Sequence, residues 1–338
     1  MATIQELMQS LEAIAPPQYQ ESYDNAGLIV GDPKTEITGV ITCLDSTEAV
    51  VAEAIARGCN CIVAHHPIVF KGLKTFTGKN YVERTIIKAI RHGIAIYAIH
   101  TNLDNVYQQG VNGRIAAQLG LQNTRILQAK ALAQQLSTTI PSTALSKLAA
   151  GLATLGITDL QKSWMAEDEQ RFLQLNFTLR PDQIGSIHQL LIQAQARNTN
   201  QWAVNTPIKD LGSGMIGYLA EPMPELDFLE LLKTKMQTDC VKHTALRGQS
   251  IQKVALCGGS GGFLLSKAIR EKADIFITAD YKYHEFFDAD GKIIIADIGH
   301  YESEQFTIDL LAEIVSNKFS TFAVYKTQVH TNPVSYFV

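Results

Sequence analysis

The chain has 338 residues, 46% hydrophobic and 18% charged, an ordinary globular balance with room for two or three domains. Its 29 basic and 33 acidic residues leave a formal net charge of -4, with no Lys/Arg block, so nothing supports a nucleic-acid partner. No apolar run approaches the ~20 residues of a membrane span, and the first segment reads as an amphipathic helix, which excludes a membrane protein and points to the cytoplasm.

Thr3-Ile4-Gln5-Glu6 has the form of a capping box, and Ile4, Leu7, Met8, Leu11 and Ile14 follow at helical spacing until Pro16-Pro17. A short strand is expected within Tyr23 to Gly31, a second over Val40 to Leu44, and a helix from Glu48 to Arg57 closed by Gly58. Cys61-Ile62-Val63-Ala64 then reads as a strand buried on both faces, delivering His65 and His66 at its tip, where Pro67 ends pairing. A helix over Tyr81 to His92 and a strand over Ile94 to Ile99 lead to a second polar tip, His100-Thr101-Asn102-Leu103-Asp104. This alternation predicts an α/β fold with a mostly parallel sheet.

Residues 128–208 are richer in Gln, Thr and Ala and read as an inserted domain between lobes 1–127 and 209–338. Within it, strands at Leu132 to Thr139, Phe172 to Leu179 and Trp202 to Thr206 and helices at Ser142 to Leu155 and Pro181 to Ala196 fit a ferredoxin-like α+β fold. Alternation resumes after the glycine-rich stretch 212–217, with strands at Ile251 to Leu256, Ile275 to Thr278 and Lys292 to Ile298. A helix is expected from Phe263 to Lys272, a final one from about Ser303 to Val315, and a closing strand from Phe322 to Tyr325. The cysteines Cys43, Cys59, Cys61, Cys240 and Cys257 form no C-x-x-C pair and read as small buried hydrophobes in a reducing compartment.

His300 and Glu304 stand one helical turn apart and can share a face. With His65, His66 and the His100/Asp104 segment they make a mixed N/O donor set on separate strand tips, suited to Zn, Fe, Mn or Ni. Five such donors exceed one tetrahedral ion's needs and suit two divalent ions bridged by a carboxylate. Cys257-Gly258-Gly259-Ser260-Gly261-Gly262 joins a strand to a helix, so Gly258, Gly259, Gly261 and Gly262 are candidates either for anion binding or for a tight turn. His284, after the next strand, is a candidate proton donor or acceptor, or a plain surface histidine.

The stretches Tyr-Asp-Asn-Ala-Gly-Leu (23–28), Ala-His-His-Pro (64–67), His-Thr-Asn-Leu-Asp (100–104), Cys-Gly-Gly-Ser-Gly-Gly (257–262), Thr-Ala-Asp-Tyr-Lys-Tyr-His (278–284) and Gly-His-Tyr-Glu-Ser-Glu (299–304) occur together in this order. In them the chain resembles the GTP cyclohydrolase I type 2 family, also called Ngg-interacting-factor-three-like. The resemblance implies metal ligation by His65, His66, Asp104, His300 and Glu304, two similar α/β lobes across a dinuclear cleft, and a toroidal homohexamer. It also implies a PII-like insert in longer members. Tyr23 stands where Trp is expected and Ala279 where Gly is expected. The implied activity is hydrolytic opening of a purine nucleotide ring at C8; beside it, and not from the resemblance, His284 is a candidate to pass a proton to the departing nitrogen and the Gly258 to Gly262 loop a candidate to hold phosphate. A phosphoesterase or amidase on a nucleotide-like substrate, and a non-enzymatic metal-binding scaffold, remain as alternatives.

Overall fold

A computed structural model of the chain describes residues 2–167 and 170–337. Helix α1 (Ile4–Ile14) starts at the reciprocal hydrogen bonds of Thr3 and Glu6 and buries Ile4, Leu7 and Leu11. Strands β1 (Gly27–Val30), β2 (Gly39–Asp45), β3 (Cys61–His66) and β4 (Ala95–Ala98) follow, with α2 (Glu48–Ala56) after β2 and α3 (Tyr81–Arg91) after β3. One helical turn, α4 (Thr101–Asp104), then leads to α5 (Val111–Gln118). β2, β3 and β4 are parallel neighbours and β1 runs antiparallel beside β4. In β3 every residue from Cys61 to His65 is buried, as a strand covered on both faces requires.

After β5 (Gln122–Lys130) the chain enters a compact unit spanning Ala129–Lys209; Met1–Gln128 and Asp210–Val338 form the other unit. In the small unit β6 (Gln134–Pro141), α6 (Leu145–Thr154), β7 (Gln161–Glu167), β8 (Gln170–Leu179), α7 (Ile184–Gln193) and β9 (Arg197–Ala203) give a ferredoxin-like fold. Its antiparallel sheet has the order β7-β8-β6-β9. Alternate residues Leu173, Leu175, Phe177 and Leu179 share a core with Leu148 and Leu152 of α6 and Ile187 and Leu191 of α7. The two edge strands differ from the sequence reading. The polar stretch 161–167 is a strand, and β9 begins at Arg197, with all its residues exposed and so without apolar alternation.

The remaining elements are β10 (Ile208–Pro224), α8 (Glu225–Met236), β11 (Lys242–His243), β12 (Ser250–Leu256), α9 (Leu265–Arg270), β13 (Ile275–Thr278), β14 (Ile294–Asp297), α10 (His300–Glu304), α11 (Thr307–Lys318) and β15 (Ala323–Lys326). β12, β13 and β14 are parallel, with β11 antiparallel beside β14, so the two lobes share one plan. β10, whose glycines disguise it as a loop, and β5 extend this second sheet. β15 instead returns to pair with β2, so each lobe takes an edge strand from the other half of the sequence. The expected single final helix is interrupted at Gln305 and Phe306, which leaves α10 as a separate turn. Among the described residues, no helix is long and apolar enough to cross a membrane.

The segment from Pro67 to Asn80 is pinned by Glu83, a buried residue of α3. Its carboxylate accepts hydrogen bonds from both Thr75 and Thr77 hydroxyls and from the amides of Thr77, Gly78 and Lys79. Burial alone would raise its pKa, but these donors prevail and hold it at about 2. The resulting stability is fully present above the ordinary glutamate pKa of about 4.3 and is lost as pH falls through the folded value. Glu83→Gln should therefore lower Tm at pH 7, and the gap to the native chain should narrow as pH drops from about 4 towards 2 in thermal melts.

Candidate metal centre

The carboxyl ends of the parallel strands in both lobes converge, and each delivers one or two polar side chains. β3 ends in His65 and His66; the turn after β4 carries His100 and Asp104; the turn after β14 carries His300 and Glu304 on α10. Each imidazole is anchored through Nδ1. His65 Nδ1 lies 2.8 Å from the Ile99 carbonyl, so it donates there. His66 meets Asp45 at 2.9 Å, His100 meets Asp24 at 2.8 Å, and His300 meets Asp280 at 2.7 Å. Asp24 also accepts from the Thr101 amide and hydroxyl. A ring held this way at Nδ1 leaves Nε2 to meet a ligand, the arrangement in which a carboxylate orients a metal-bound histidine.

The Nε2 atoms gather around Glu304, which is 3% exposed. Its Oε2 lies 3.0 Å from His66, 3.1 Å from His300 and 3.9 Å from His65. Asp104 Oδ1 is 3.5 Å from His65 Nε2, and among the described residues these two buried atoms have no hydrogen-bond partner. Leaving each unsatisfied costs about 1–3 kcal/mol, and a cation placed between them would remove that cost. Three groupings could hold a metal ion: His66, His300 and Glu304; His65, Asp104 and Glu304; and His65, His66 and His100. The first two share Glu304. The donor set, imidazole nitrogens and carboxylate oxygens, fits a borderline divalent ion.

The electrostatics have the same cause. Burial disfavours charge on His66 and His300, yet the former is raised to about 9 by hydrogen bonds to Asp45 and Glu304, and the latter to about 11 by the Glu304 charge and its bond to Asp280. Burial likewise opposes the Glu304 charge, but His300 and the other rings keep it ionised well below the usual range. Asp104 moves up, through burial and repulsion by Glu304. Asp24, despite burial, is held at about 2 by His100 and Thr101. Protons on imidazoles occupy the role a cation would fill.

The model of the Duf34/NIF3 (NGG1p interacting factor 3) family matches residues 2–333. The chain belongs to this family. A Staphylococcus epidermidis member named GTP cyclohydrolase 1 type 2 homolog is 30% identical, over 98% of this chain and 99% of its own. Among solved structures, Staphylococcus aureus protein SA1388 aligns with TM-score 0.83 at 30% identity, and the Bacillus cereus protein related to NIF3 with 0.82 at 26%. Each alignment covers 99% of both chains.

Of the two readings of the glycine loop, anion cradle or tight turn, the hydrogen bonds favour the turn. The amides of Gly258, Gly259 and Gly261 already donate to Asn112 Oδ1, Ser303 Oγ and Thr278 Oγ1. Gly259 has φ +60°, and a Cβ there would lie 2.5 Å from Glu304 Oε1; one at Gly258 would lie 3.3 Å from Glu304 Cγ. The glycines make room for the shared carboxylate. Gly262 begins the turn into α9. Ala279, in the place of an expected glycine, is buried and donates to the Gly259 carbonyl. His284 is exposed among the rings of Tyr283 and Phe287 and does not line the cavity beside the cluster.

His100 enters the sequence reading only as part of the His100/Asp104 segment, and the orienting carboxylates Asp24, Asp45 and Asp280 are not marked by spacing. Their signal is position beside a strand end, Asp24 just before β1, Asp45 closing β2 and Asp280 just after β13, where a lone acid also reads as a turn residue. Because Asp280 fixes His300 from behind, Asp280→Asn should weaken divalent-ion binding by roughly 10–100-fold and lower the melting temperature of the chelated protein only modestly, since the Asp280–His300 pair it removes is partly exposed. Competition against a chromogenic chelator measures the first and a melt the second.

Proposed function

We propose that the chain is a dinuclear-metal hydrolase that opens a purine-type ring. The observation that carries the metal reading is the pair of buried, facing and unpartnered atoms, His65 Nε2 and Asp104 Oδ1. His65 and Asp104 would hold one ion, His66 and His300 the other, and Glu304 both; His100 is a further candidate donor. When bound, a divalent pair supplies Lewis acidity and an activated water at neutral pH. The surrounding residues orient and shield. Asp24, Asp45 and Asp280 fix the rings, and the glycine loop closes on Glu304 from behind.

The relatives' name supports the choice of reaction. Water oxygen bonds to the ring carbon between two nitrogens, one C–N bond breaks as its nitrogen takes a proton, and a second hydrolysis of the resulting formamide releases formate. His284, exposed and off the cavity wall, is left without a part in this scheme. The family resemblance further supports a homohexamer, and the exposed rings of Phe263, Tyr283 and Phe287 are surfaces that contact between copies would cover.

Three measurements test these readings. The chelated protein reloaded with Mn, Zn or Fe should hold about two ions per chain by elemental analysis. It should then release formate from a guanine nucleotide, and His66→Ala should lose both properties. Less than one ion per chain would remove the metal reading, and inorganic phosphate without formate would replace ring opening with phosphoesterase chemistry. Light scattering should give the mass of six 37.2 kDa chains, about 223 kDa.

A further inference from the structure

The cluster opens on a cavity of about 700 Å³, the size of a site for a small organic molecule. Tyr23, Phe70, Tyr81, Tyr301 and Tyr336 contribute to its wall. At its mouth Tyr23, Phe70 and Tyr81 are 71%, 54% and 63% exposed, so ring faces stand in water where a flat ligand would cover them. Phe70 also packs edge-on against His100, with ring centroids 5.8 Å apart, which carries the aromatic wall up to the candidate ligands.

Charge in this cavity runs against a polyphosphate. Asp45, Asp280, Asp297 and Glu302 line it, and among the described residues its one Lys or Arg is Lys242, whose Nζ is already bound to Asp297 at 2.7 Å. Two divalent ions would bring four positive charges. Asp104 and Glu304 in the cluster, with Asp24, Asp45 and Asp280 behind the rings, bring five negative ones. Sites built for phosphate present guanidinium forks, free lysines or unpaired amides. Here the loop amides of Gly258, Gly259 and Gly261 are committed internally.

We infer that the cavity selects an uncharged flat nitrogen heterocycle of nucleobase or nucleoside size and discriminates against its triphosphate. The inference rests on the purine-directed reading above and narrows it to substrates recognised through ring faces.

Calorimetric titration of the zinc-loaded chain with guanosine, GTP and inorganic triphosphate tests it, with zinc content measured after each run. Guanosine should bind at least about tenfold more tightly than GTP, inorganic triphosphate should not compete, and Phe70→Leu should weaken guanosine several-fold with zinc content unchanged. GTP binding more tightly than guanosine, or competition by triphosphate, would overturn the inference while leaving the purine reading in place. If none of the three bound while zinc was retained, both would fall.

Discussion

Glu304 sits almost wholly out of solvent with three imidazole Nε2 atoms within 4 Å of one of its oxygens and a second carboxylate, Asp104, close by. Two acids so close cannot both stay ionised unless positive charge lies between them, because desolvation of an unpaired carboxylate costs several kcal/mol. Much of the surrounding structure answers that demand. Four histidines turn Nε2 inward because carboxylates or a carbonyl hold Nδ1, and a left-handed glycine gives Glu304 the space it occupies. The metal reading explains these features together, where hydrogen bonding alone leaves His65 Nε2 and Asp104 Oδ1 unexplained.

Convergence of the two lobes supplies the geometry. The first contributes His65, His66, His100 and Asp104; the second contributes His300, Glu304 and the glycine loop. Each is a parallel three-strand core whose carboxyl ends gather polar groups, and neither is complete without the other half of the chain. β15 pairs with β2, β5 edges the second sheet, and Thr42 in β2 donates to the Ile308 carbonyl of α11. Such interlocking limits relative motion of candidate ligands drawn from residues about 200 or more positions apart.

The histidines and Glu304 were legible because their signal is local: an apolar run ending in His-His-Pro, and a helical i, i+4 pair. The alternation of strands and helices was legible for the same reason. Asp24, Asp45 and Asp280 were not, since their meaning lies in the ring each touches 20 to 80 residues away. The glycine loop is ambiguous in the sequence because small size serves an approaching anion, a tight turn and an approaching carboxylate side chain equally well. Only the destinations of its amides distinguish them. Strand β9 begins at Arg197, ahead of the expected Trp202, because exposed polar residues carry no burial pattern, and β10 reads as a loop because its glycines resemble punctuation.

The cavity wall and the ligand cluster form one network. The C-terminal segment contributes Asn332, Pro333, Val334 and Tyr336 to the wall. The same segment donates Thr331 Oγ1 to Asp45, which orients His66, and Asn332 Nδ2 to Glu302 on α10 between His300 and Glu304. A group that reshapes the wall therefore bears on the carboxylate that holds His66 and on the helix that carries His300 and Glu304, so the cavity wall and the candidate metal ligands are joined by these hydrogen bonds.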